Sequence, residues 1–179
     1  MLNILEAKQP LSRRPVLVPV DFSACSRSAL VHAALMVEGT RTPLLVLHVV
    51  HDLPGNPGVY RKPDEIHPSR PMIDIAEEML GEMLNELRGE HPDLQALQNA
   101  RTRLIQGVPG KRIIELAAHE QATMIVMGTQ GRKGLAHLLH GSVAEYVSKH
   151  ACVPVTTVRE SEPAEDPDGP EYLAGQAIL

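Results

Sequence analysis

The chain has 179 residues, 43% of them apolar and 22% charged, with a formal charge of −5, which fits one globular domain with its own core. No apolar run approaches the roughly 18 residues of a membrane span, MLNILEAKQPLSRRP carries no signal-peptide pattern, and Cys25 and Cys152 make neither a metal spacing nor a disulfide framework, which suits a reducing cytoplasm. The charge sits in the tail, where residues 159–179 hold six acids and one base; the neutral body and the few aromatic residues of the whole chain (three Tyr, one Phe) offer no nucleic-acid surface.

After a lead-in over residues 1–14, the run VLVPV (Val16 to Val20) predicts a strand buried on both faces, as in a parallel sheet. A helix should follow, with Ser23 and Ser26 as caps and Ala29, Leu30, Ala33, Ala34 and Val37 recurring at three- and four-residue steps until Gly39. LLVLHVV, from Leu44, predicts the second strand. The stretch over residues 51–71 holds five prolines and reads as a long surface loop or lid. From Met72 the period becomes helical, with Ile75, Ala76, Met79, Leu80, Met83, Leu84 and Leu87 on one face.

A third strand near residues 102–106, a short helix from Pro109 to His119, a fourth strand over residues 123–127, a helix from Ser142 and a fifth strand from Pro154 to Val158 complete the order. Alternation of this kind predicts an α/β domain over residues 15–159: one open five-stranded parallel sheet, order 3-2-1-4-5, with helices on both faces. Residues 160–179 then form an acidic tail.

Directly after the fourth strand comes GTQGRKGLAHLLHGSVAEYV, with Gly128, Gly131, Gly141 and Ser142 in a G-x2-G-x9-G-S spacing. Glycines between a strand and a helix let backbone N–H groups approach an anion, and the helix's unpaired first-turn donors add positive potential. Ser142 would cap the helix or bond a phosphate oxygen. Ordinary turn chemistry is the competing reading of these glycines. The Walker loop does not fit, since Gly110-Lys111 is followed by Arg112 and Ile105 stands where its first glycine belongs. The dinucleotide fingerprint does not fit either, because these glycines come after the fourth strand.

In the order 3-2-1-4-5 the winding reverses between strands one and four, and ligands of open α/β sheets bind at that point. Asp21, ending VPVDFS, would face the same crevice as Gly128. It would accept from an adenine amino group or a ribose hydroxyl, or else cap the first helix.

These residues together make the chain resemble the universal stress proteins from about Val16 to Val158. The resemblance rests on the complete glycine signature, on Pro19, Asp21 and Ser23 ending strand one, on His48 and Val49 near the end of strand two, and on Gly107 and Pro109 before the third long helix. It implies ATP binding, with ADP or AMP as alternatives. Pro19, Asp21 and Val49 would surround adenine, Met127 and Gly128 would lie at the ribose, and Gly131, Gly141, Ser142 and Val143 would hold the phosphates. Arg132, inside the loop, is our addition as counter-charge; a solvated loop residue is the other reading. Gln130 stands where many members have histidine.

Mg²⁺ or Mn²⁺ would be held by the phosphates and water, since carboxylates near the loop are lacking. His137 and His140 are three apart, but no third ligand has matching spacing. No base is evident for hydrolysis, so the expected role is a nucleotide-dependent regulator, with a slow ATPase or a ligand-free dimerisation module as alternatives. The resemblance also implies a homodimer paired through the fifth-strand edge, and regulation implies a protein partner whose identity the residues do not name. The apolar residues closing the tail, Tyr172, Leu173, Ala177, Ile178 and Leu179, are expected to pack on the dimer or on that partner.

Overall fold

The computed structural model describes residues 14–51, 71–129 and 141–159. The proline-rich loop, most of the glycine loop, the lead-in and the tail lie outside the described residues.

The elements in chain order are β1 (Val16–Val20), α1 (Ala24–Val37), β2 (Leu44–Val50), α2 (Met72–Glu90), α3 (Gln95–Gln98), β3 (Arg101–Gln106), α4 (Pro109–His119), β4 (Met124–Gly128), α5 (Ser142–His150) and β5 (Val155–Val158). The strands form one parallel sheet in the order β3-β2-β1-β4-β5, as the alternation predicts. β1 and β2 are buried along their whole length, which is why they read as apolar runs, interrupted only by His48 in β2.

Side-chain alternation divides the core into two layers. Val16, Val18 and Val20 pack with Ala29, Leu30, Ala33 and Ala34 of α1 and Leu80, Met83, Leu84 and Leu87 of α2. On the opposite face Leu17, Leu45, Leu47 and Val49 pack with Ile113, Leu116 and Ala117 of α4 and Ala144 and Val147 of α5. Small residues along α1 bring that helix close to the sheet, and Gly39, at φ +73°, closes it.

Several sequence expectations shift in detail, among them β5, which begins at Val155 and not at Pro154. The short α3 was not foreseen; it is fixed by buried Leu94 and Leu97 and by the Glu38 carboxylate, which accepts from Ala96 N at 3.0 Å. β4 begins one residue later than expected and includes Gly128. Gly141, not Ser142, is the N-cap of α5, so Ser142 is the first helical residue and its hydroxyl makes no capping bond.

Candidate functional site

β1 lies where the winding reverses, with β2 on one side and β4 on the other. It pairs with β2 from Val16↔Leu44 to Val20↔His48, but with β4 only at Val16↔Met124 and Leu17↔Ile125. Proline explains the difference. The Val16 N–H donates to Pro43 O, beside β2, and donors alternate between neighbours along a parallel strand. The donor of residue 19 would therefore face β4, and Pro19 has none. The ladder ends there, so the carboxyl ends of β1 and β4 border a crevice.

On the β1 side the chain turns sharply at Phe22, whose φ of +65° is costly for a bulky residue. The turn is held by a ring of hydrogen bonds. Asp21 Oδ1 accepts from both the backbone N–H (3.1 Å) and the hydroxyl of Ser23, and Ser23 Oγ accepts from Ser26 N at 3.2 Å. Ser26 Oγ in turn donates to Ser23 O at 2.9 Å and accepts from Asp21 N at 3.3 Å. Ser23 is thus the N-cap of α1, and Asp21 supports it from two residues upstream.

On the β4 side, a Cβ built at Gly128 would lie 2.9 Å from Cys25 C, 3.0 Å from Cys25 O and 3.1 Å from Ser26 N. The first turn of α1 therefore occupies the space a side chain would need. Gly128 is required by strand-to-helix packing, whatever binds beyond it. The next residue, Thr129, is buried and tied in two directions. Its N–H donates to Val158 O at 3.0 Å, and its own carbonyl accepts from Gly141 N at 2.7 Å. Val158 O also accepts from the Cys25 thiol at 3.2 Å and the Thr129 hydroxyl at 3.4 Å. The ends of the glycine loop are therefore clamped together beside the end of β5.

α5 begins at this clamp. Its cap Gly141 has no side chain to satisfy the first-turn donors, and its carbonyl accepts from Glu145 N at 3.0 Å, which starts the helix. The N–H groups of the first turn are thus left to other partners, with the positive end of the helix behind them.

The apolar residues expected around the base, Pro19 and Val49, and Met127, expected at the ribose, share one face. Val49 and Met127 belong to the α4/α5 core layer, as does Leu17, so Pro19, two residues on, projects to the same side. Val143 packs partly against this layer, and Ser142 is exposed. His48 belongs to the other face. It is buried, its ring lies 4.3 Å from Phe22, and its Nδ1 is 2.8 Å from Val20 O, so Nδ1 carries the proton.

Pro19, Asp21, Ser23, Val49, Met127, Gly128, Gly141, Ser142 and Val143 thus lie at the carboxyl end of the sheet or at the start of α5. Gly131, Arg132, Gln130, His137 and His140 lie outside the described residues. Thr129 was missed by sequence reading, though a polar residue between a strand's last glycine and a loop is a visible signal. Among the described residues no three metal-ligating side chains cluster, and no helix is long and apolar enough to cross a membrane.

The model of the universal stress protein family matches residues 12–159. A universal stress protein of Methanocaldococcus jannaschii is 28% identical over 158 residues, covering 82% of each chain. Among solved structures, a universal stress protein from Archaeoglobus fulgidus in complex with dAMP superposes with a TM-score of 0.52 at 25% identity, over 81% of this chain and 97% of that one. Another, in complex with cAMP, has a TM-score of 0.59 at 21% identity, over 83% and 98%, and shares the fold. With a family match spanning the whole sheet and both sides of the crevice, the chain belongs to the universal stress protein family.

Proposed function

We propose that this protein binds an adenine nucleotide, ATP in the first instance with ADP or AMP as competitors, and acts as a nucleotide-dependent regulator. The observation that carries the reading is the crevice at Pro19, where the β1/β4 ladder stops between an acidic turn and an uncapped helix N-terminus. Adenine would lie against Pro19, Val49 and Met127, with the Asp21 carboxylate accepting from the base or ribose. The phosphates would meet the first-turn N–H groups of Ser142 and Val143, the Ser142 hydroxyl, and the loop with Gly131 and Arg132. The dAMP and cAMP complexes of family members support the nucleotide class.

The residues fit a phosphate-held cation better than a protein-held one, so Mg²⁺ or Mn²⁺ would arrive with the nucleotide and supply charge neutralisation. Asp21 already accepts two hydrogen bonds from Ser23, a positioning arrangement that supports holding a ligand over activating water. Cytoplasmic residence and a homodimer through β5 belong to the same reading; both cysteines are free, and β5 is an edge strand. Denaturing the purified protein and identifying released nucleotide by chromatography, followed by titration with ATP, ADP and AMP, tests it. Absence of released nucleotide together with no heat or thermal shift at near-millimolar ligand overturns it.

A further inference from the structure

Asp21 sits between two residues that His48 of β2 holds. His48 stands level with Val20 in the β1/β2 register and is buried, 3% exposed, in a strand that is otherwise apolar. Burying an imidazole there is costly unless it is hydrogen-bonded, so the side chain needs a reason that leucine or valine would not supply. Its Nδ1–H donates to Val20 O at 2.8 Å, one residue before Asp21, and its ring lies 4.3 Å from that of Phe22, one residue after. Phe22 also packs against the cluster formed by Val50 of β2 and Ala76 of α2.

The turn at Phe22 does not hold itself. Its φ of +65° persists in a bulky residue only where the surroundings fix it. The direction of the Asp21 carboxylate follows from that turn, because both hydrogen bonds from Ser23 end on Oδ1 and leave Oδ2 for a ligand. With Phe22 released to an ordinary negative φ, Ser23 would swing away and the carboxylate would lose both bonds together with its aim. Val49, next to His48, projects to the opposite face, into the layer with Met127. β2 thus lines the crevice with one residue and braces its acidic turn with the neighbouring one.

On the nucleotide reading proposed above, we infer that His48 is a positioning residue: it holds Val20 and Phe22 so that Asp21 is aimed into the crevice, and it touches no ligand itself. The first arm of the test needs no nucleotide. Nitrogen-edited NOE spectra of the wild-type chain should show the strong signal between the Phe22 amide proton and its own α-proton that a positive φ brings, weakened in His48→Leu. In the second arm, calorimetric titration with ATP should show His48→Leu losing about tenfold in affinity, the loss expected for Asp21→Ala. His48→Asn, which keeps an N–H at the place of Nδ1, should recover most of that loss. Added to Asp21→Ala, His48→Leu should lower affinity no further, since a brace has no effect once the group it aims is gone. An unchanged Phe22 signal or an unchanged affinity in His48→Leu overturns the inference, as does an equal loss with and without Asp21, the mark of a general packing defect. Should His48→Leu not fold, His48→Asn, which drops the ring beside Phe22, runs through the same cycle with a smaller expected loss. A wild-type chain that binds no ATP sinks the nucleotide reading instead, and the NOE arm still decides whether His48 fixes the turn.

Discussion

The backbone N–H of Gly141 donates to the carbonyl of Thr129 across 2.7 Å, joining the two ends of the glycine loop. Gly141→Pro removes that donor. It should cost about 1 kcal/mol of stability in urea unfolding, the worth of one hydrogen bond, and weaken ATP binding. Gly141→Val keeps the donor at an ordinary φ of −61° and isolates the effect of a side chain at the anion site. If the two variants lose affinity equally while only the proline variant loses stability, closure and binding are separable; equal stability for both would show that the bond contributes nothing.

Gly128→Ala places a Cβ against the backbone of Cys25 and Ser26, which cannot swing aside as a side chain would. Overpacking of this kind costs roughly 1–3 kcal/mol. Chemical denaturation should show that loss with nucleotide absent; an unchanged midpoint would mean that α1 shifts freely.

Ser23→Ala deletes the N-cap of α1 and should lower stability by about 1 kcal/mol. Asp21→Ala should do less to stability but reduce ATP affinity by about tenfold, the equivalent of about 1.4 kcal/mol for one charge-assisted hydrogen bond. Calorimetric titration checks the second claim. An affinity unchanged in Asp21→Ala would confine that carboxylate to shaping the turn.

Leu17→Ala empties a fully buried site in the middle of β1 and should cost roughly 2–5 kcal/mol, whereas Leu35→Ala, on an exposed position, should stay within about 0.5 kcal/mol. Comparable losses for the two in thermal melts would mean that Leu17 does not anchor the core or that Leu35 is not exposed in solution.

The fold was legible because β1 is an unbroken apolar run, β2 is apolar but for His48, and α2 and α4 keep a helical period, each signal local to its element. What stayed hidden depends on contacts distant in sequence. The short α3 is too brief to show a period and rests on Glu38, 58 residues from its partner Ala96. The crowding of Gly128 by the backbone of α1, about a hundred residues earlier, leaves no mark in the sequence around it. Thr129 was passed over for the same reason, its partner Val158 lying on another strand. The role of Pro19 needed the strand order before the direction of its missing donor meant anything.

That missing donor bears on how tightly a ligand can be held. In a sheet whose ladder ran on, a molecule entering between β1 and β4 would first have to break cross-strand hydrogen bonds and leave donors in need of new partners. Here the separation is written into the covalent structure of one residue and exists before any ligand arrives. The gap between β1 and β4 is in this respect preorganised: no cross-strand bond from residue 19 has to be broken for a molecule to enter there.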